Sequence, residues 1–163
     1  MVPPVALAEL AMDPTAPLPY RSATALLDEL PAKTIDELTS IAGAGSSLTM
    51  LQLRHAGGAL ARTAPGAGAR ATLPGQIVAF ALGVVPDPAA DEAVRTALSA
   101  VTQALAPHRV GDYPNFVEEP ADASGFFDEQ TWQRLRRVKA TYDPEDLFRG
   151  NHHIPPAPAG SMP

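Results

Sequence analysis

Residues 76–105 read QIVAFALGVVPDPAADEAVRTALSAVTQAL, and the change of period inside this stretch decides the fold class. Gln76 to Val85 is a short apolar run of the kind a well-buried strand needs. Asp87-Pro88 then supplies a side-chain acceptor at N-cap and a ring pre-set for N1, while Asp91 and Glu92 sit near the positive end of the helix dipole. Ala90, Val94, Ala97, Leu98, Val101, Ala104 and Leu105 recur at three and four, so one helix face packs on a sheet until Pro107 closes it.

Upstream, Leu48 to Arg54 (LTMLQLR) alternates closely enough for a half-buried strand. Gly57-Gly58 and residues 65–68 (PGAG) break the pattern before Gln76, predicting an antiparallel connection through a long loop. Ser22 to Leu30 carries Ala25, Leu26, Leu27 and Leu30 at mixed helical spacing and is expected to be a helix stopped by Pro31. Thr34-Ile35-Asp36-Glu37 reads as a capping box for a second helix ending at Gly43. Gly43 to Ser47 lacks the preceding strand, the third glycine and the lysine of a phosphate loop, and reads as a turn. Residues 1–20, with five prolines, are an extended entry in which Val5 to Leu10 could form one short strand.

The stretch from Tyr113 to Pro156 holds the only Trp, two of the three Tyr and two of the four His of the chain. Pro114 biases Tyr113 to extended geometry, and Tyr113 to Phe116 is expected to be extended. Glu118 to Gly125 reads as a loop with solvated carboxylates. Asp128 caps a helix whose Trp132, Leu135, Val138 and Tyr142 form an apolar stripe expected to face the core, with Arg134, Arg136, Arg137 and Lys139 solvated. Asp143-Pro144 starts one more helical turn, ended by Gly150, and residues 157–163 are expected to be a disordered tail.

The 163 residues, 45% of them hydrophobic, suffice for one core. A net charge of −6 offers no basic stripe, which argues against nucleic acid and anionic membranes and leaves small molecules and proteins as partners. With no cysteine there is no disulfide, thiolate metal site or cysteinyl cofactor link. No segment reads as a signal peptide or membrane span, so a cytoplasmic protein is expected. His152-His153 lacks a third ligand nearby, and no metal is expected. His55 reads as a polar strand end.

Four motifs, in order, carry a resemblance: Tyr113-Pro114-Asn115-Phe116, Trp132 to Lys139, Tyr142-Asp143-Pro144-Glu145-Asp146-Leu147-Phe148, and Asn151-His152-His153-Ile154-Pro155-Pro156. With Leu53 to Ala59 upstream, the chain resembles, from about residue 20 to residue 156, the C-terminal part of the berberine-bridge-enzyme-like FAD-linked oxidases. These are flavoproteins with a vanillyl-alcohol-oxidase-type FAD domain followed by a substrate domain. The resemblance implies an α+β fold, an antiparallel sheet with helices packed on one face, as an incomplete version of the flavin oxidase substrate domain. It divides the chain into residues 1–112, a partial substrate-binding domain, residues 113–156, the berberine-like segment, and the tail.

By the same resemblance Tyr113 is the catalytic residue, a base or part of a base network during hydride transfer to flavin. Asn115 and Asn151 are implied as flavin contacts. On a strand, residues 113 and 115 would share one side. A Tyr, with a reference pKa of about 10, needs a partner or positive surroundings to act as a base near neutrality. The family's FAD-binding domain has no counterpart in these residues, so FAD is expected only if another chain supplies that domain. The implied function is the substrate-side, flavin-facing part of an oxidoreductase acting on an alcohol, sugar or secondary-metabolite carbon, inactive alone. The alternative is a non-redox small-molecule-binding or assembly module derived from such an oxidase, with a homodimer covering its open sheet.

Overall fold

The computed structural model describes Pro3 and residues 16–158. The strand expected at Val5 to Leu10 and the tail from residue 159 onward lie outside the described residues. Four strands, β1 (Tyr20–Leu27), β2 (Met50–His55), β3 (Ile77–Val84) and β4 (Arg109–Gly111), form one antiparallel sheet in the order β2-β3-β1-β4. Three helices, α1 (Ala32–Ile41), α2 (Pro88–Leu105) and α3 (Glu129–Tyr142), join them, with short 3-10 turns between.

The strand and helix of residues 76–105 form as their sequence requires. β3 pairs along its length with β1 on one side and β2 on the other. Asp87 caps α2, its carboxylate accepting from the N–H groups of Ala89 and Ala90 at 2.9 and 3.1 Å. Val94, Leu98, Val101, Ala104 and Leu105 are the buried face of α2. They meet Ala25 and Leu27 of β1, Ala79 and Ala81 of β3, and Leu38 of α1 in the main core cluster. Gly83 allows the close approach, since a Cβ there would lie 2.6 Å from Val94 and 2.9 Å from the Ser47 carbonyl.

The expected helix over Ser22 to Leu30 is instead β1, and so only one helix separates β1 from β2. Its Ala and Leu content suits a helix, but a helix this short has little stability of its own. The strand gains a full ladder from Tyr20↔Val84 to Leu27↔Ile77. Both faces of its C-terminal end are covered, Leu27 in the α2 cluster and Leu26 with Val78 and Ala56 in a second cluster on the opposite face. Burial on both sides erases the alternation that marks a strand.

The capping box is also corrected. α1 begins at Ala32 with Pro31 at N-cap and no side-chain cap, which places Thr34 inside the first turn. Thr34 is buried and its hydroxyl lies 3.1 Å from His108 Nε2 at the end of α2. Asp143-Pro144 likewise starts no helix; Asp143 turns the chain by accepting from the N–H groups of Leu147 and Phe148 at 2.9 and 3.0 Å.

β4 pairs with β1 only at Leu26 and Leu27. From Tyr20 to Ala25 the outer edge of β1 has no strand neighbour among the described residues. α3 differs from the other helices in having no buried residue. The expected core stripe is therefore corrected: Val138 and Tyr142 are exposed, Trp132 and Leu135 only half-buried. α3 is capped by Asp128, which accepts from Thr131 N–H at 2.8 Å, and is held at its middle by the returning tail, whose Ala157 N–H donates to the Arg136 carbonyl at 3.1 Å.

Candidate functional site

Tyr113 follows β4 in extended backbone, but Pro114 to Phe116 tightens into a 3-10 turn, so the expected extended run stops after one residue. Phe116 is the hub of this corner. Its ring centroid lies 4.8 Å from Phe80, 5.1 Å from Tyr113 in edge-on contact, and 4.8 Å beneath the Arg54 guanidinium. The half-buried Tyr113 ring is thereby fixed against Leu26, Val78 and Ala56 on the sheet face opposite α2. Among the described residues its hydroxyl makes no hydrogen bond.

The turn separates Tyr113 from Asn115. Asn115 is exposed and lines an open groove of about 770 Å³ that Asn151 also lines, together with Tyr20, Glu118 and His152. Two carboxamides from opposite ends of the 113–156 segment thus reach one concavity, while the Tyr113 ring packs to one side. Asn151 is positioned by its neighbours. His152 Nε2 donates to the Val117 carbonyl at 2.8 Å and its ring stands edge-on to the buried Phe126, 4.8 Å between centroids. Adjacent His153 turns the other way, its Nε2 3.0 Å from Asp146. Among the described residues no group of three or more His, Cys, Asp or Glu side chains is placed to hold a metal ion.

Asp146 adopts left-handed backbone with φ 55°, and its carboxylate gathers Lys139 at 3.2 Å, Arg149 at 3.5 Å and His153. Lys139 also bonds Asp143 and the Phe148 carbonyl. The Lys139 ammonium and the N–H groups of Phe148 and Leu147 pull the Asp143 carboxyl down to about 2, and Asp143 in turn raises Lys139. This charged knot fixes residues 143–153, and hence Asn151, to the end of α3.

Two electrostatic features were not read from the sequence. Glu118, expected to be a free solvated carboxylate, accepts from the Tyr20 hydroxyl across the groove wall, which raises the Tyr20 phenol above its usual value. Arg70, in the loop after β2, carries its guanidinium 5.5 Å over the Phe127 ring. Burial lowers its pKa, while interaction with Tyr113 and Asp128 opposes the fall. Arg70 thereby brings a cationic group to the Tyr113 corner. No local pattern marks a loop arginine for that place. Phe127 also stacks on Trp132, 6.3 Å between centroids, which ties Arg70 to α3.

Residues 113–155 match the family model described as Berberine and berberine like. The segment is berberine-like. An uncharacterized FAD-linked oxidoreductase of Bacillus subtilis (strain 168), YgaK, is 41% identical over 66 residues, covering 40% of this chain and 13% of YgaK. Berberine bridge enzyme from Eschscholzia californica superposes with a TM-score of 0.71 at 15% identity, over 94% of this chain and 36% of that one. A chitooligosaccharide oxidase superposes with a TM-score of 0.64 at 21% identity, over 85% and 33%. The chain resembles the C-terminal part of the berberine-bridge-enzyme-like FAD-linked oxidases, and its antiparallel sheet with helices is a piece of their fold. It spans about a third of the length of these solved structures. Among the described residues no helix is long and apolar enough to cross a membrane.

Proposed function

We propose that this chain is the substrate-side, flavin-facing part of an FAD-dependent oxidoreductase. The observation that carries the reading is the convergence of Asn115 and Asn151 on one open groove beside the fixed ring of Tyr113. Carboxamides offer both donors and acceptors, which suits the imide edge of a flavin ring. Glu118 on the same wall is a poor neighbour for a diphosphate, so the diphosphate of FAD would lie away from this groove. FAD, when bound, supplies a two-electron hydride acceptor. Tyr113 is the residue assigned to take the proton from a substrate hydroxyl as hydride leaves its carbon. The substrate class is an alcohol, sugar or secondary-metabolite carbon bearing a hydroxyl.

The test is co-expression with a polypeptide carrying an FAD-binding domain. A yellow complex whose kcat falls at least tenfold in Tyr113→Phe, with little change in KM, supports the reading. A complex that purifies colourless and takes up no flavin overturns it. That second result would favour a non-redox binding or assembly module, for which the exposed Val138, Tyr142, Leu147 and Phe148 speak.

A further inference from the structure

Arg21, Arg95, Arg109 and Arg149 each meet an aspartate. Arg70 and Arg134 meet no carboxylate at ion-pair distance among the described residues, and neither guanidinium makes a hydrogen bond there. Both line one concavity of about 580 Å³ between the loop after β2 and the start of α3, with Val110 of β4 and Phe126 in its wall. A volume of this order suits a small molecule.

The loop that carries Arg70 is pinned on both sides. Leu73 packs on Leu26, Ala56 and Val78, and its N–H donates to the Leu60 carbonyl at 3.2 Å. Gly75, at φ 76°, passes so close to β1 that a Cβ there would lie 2.4 Å from the Leu27 carbonyl oxygen. Arg70 is half-buried in this setting, its guanidinium laid over the Phe127 ring, and burial lowers its pKa. A cation drawn partly out of water without a counter-charge costs free energy that a bound anion offsets. Asp128 does not fill that role. It acts on Arg70 only from beyond ion-pair distance, and its two oxygens accept from the Thr131 N–H and hydroxyl, both at 2.8 Å.

We propose that this concavity binds a small organic carboxylate, its carboxylate oxygens between the Arg70 and Arg134 guanidiniums and its apolar body against Val110 and Phe126. The planar fork of a guanidinium matches a carboxylate edge to edge. Asp128 on the same wall sets the charge of the ligand: against two guanidiniums it leaves one positive charge, which fits a single carboxylate better than a doubly charged phosphate. Phe126 and Phe127 also line the groove of Asn115 and Asn151, so the two concavities are neighbours. The carboxylate site requires no flavin, and it stands or falls separately from the function proposed above.

The chain carries a reporter for the test, because Trp132, its only tryptophan, stacks on the Phe127 ring beneath Arg70. Benzoate added to the flavin-free chain should change the Trp132 fluorescence saturably, and benzyl alcohol, a neutral molecule of similar shape, should bind at least about tenfold more weakly. Arg70→Gln and Arg134→Gln should each weaken benzoate by about tenfold. Arg137→Gln, at an exposed position of α3 outside the concavity, should leave it unchanged. Should Arg70→Gln fail to fold, Arg134→Gln, at an exposed position, decides the matter with Arg137→Gln as its control. The inference is overturned by the absence of a saturable change up to about 10 mM benzoate, by equal binding of benzyl alcohol, or by equal losses in Arg134→Gln and Arg137→Gln. Tighter binding of inorganic phosphate than of benzoate overturns the assigned ligand class.

Discussion

α2 and α3 are both amphipathic, both capped by an aspartate, and opposite in fate. α2 lays five buried residues on the sheet and on α1, whereas α3 buries none, and past its end Leu147 and Phe148 are 72% and 79% exposed. The difference is one of partners rather than of helix quality. The residues that α2 needs are in this chain, and the surface that Val138, Tyr142, Leu147 and Phe148 would cover is not among the described residues. Large apolar side chains left this exposed fit a surface that another element or molecule covers.

The strongest way to break the comparison is in the α2 half. Leu27→Ala empties a fully buried position between β1 and α2 and should cost about 2–5 kcal/mol in urea unfolding; a loss below ~1 kcal/mol would show that the α2 core does not dominate stability. Asp87→Ala removes the cap of α2 and should cost about 1 kcal/mol, visible as a shifted denaturation midpoint with unchanged slope.

Acid sharpens the contrast. The folded Asp143 carboxyl sits at about 2, below its ordinary value near 4. A carboxyl depressed in this way stabilises the fold above its unfolded pKa and loses that contribution as pH falls through the folded one. Between about pH 4 and pH 2 the amides of Leu147 and Phe148 should lose protection, with little change from pH 5 to 8. Asp91, held by Arg21 and Arg95, is also drawn down to about 2, but the α2 core is apolar, so its amides should stay protected while residues 143–148 open. Simultaneous loss in both regions would refute the separation. The smallest effect belongs to the joint variant Leu147→Ser, Phe148→Ser, expected to move the stability of this chain by no more than about 0.5 kcal/mol. The same variant should weaken any complex with the FAD-binding polypeptide, read by titration calorimetry.

Legibility followed the range of the interaction. Asp87-Pro88 and Asp128 were readable because a cap is settled within three residues. β2 was readable from its alternation and β3 from its apolar run. β1 was not, because its state is decided by Val84 to Ile77 across the sheet and its two covered faces hide the strand period. Thr34 was misread because His108, far along the chain, uses its hydroxyl. At the site, the residues named by resemblance could be located, with Asn115 and Asn151 sharing a groove and Tyr113 packed beside it. Arg70 could not be found, since only the fold brings the loop after β2 to Tyr113.

The tail closes over α3 reciprocally: Ala157 N–H donates to the Arg136 carbonyl, and the Arg136 guanidinium donates to the Pro156 carbonyl at 3.4 Å. Between the two partners runs the exposed turn from Pro144 to Gly150. A protease that nicks this turn would therefore not release the end of the chain. The cut protein should elute as one species under native conditions and resolve into two bands only when denatured, keeping Asn151 in its groove after the backbone that delivered it has been severed.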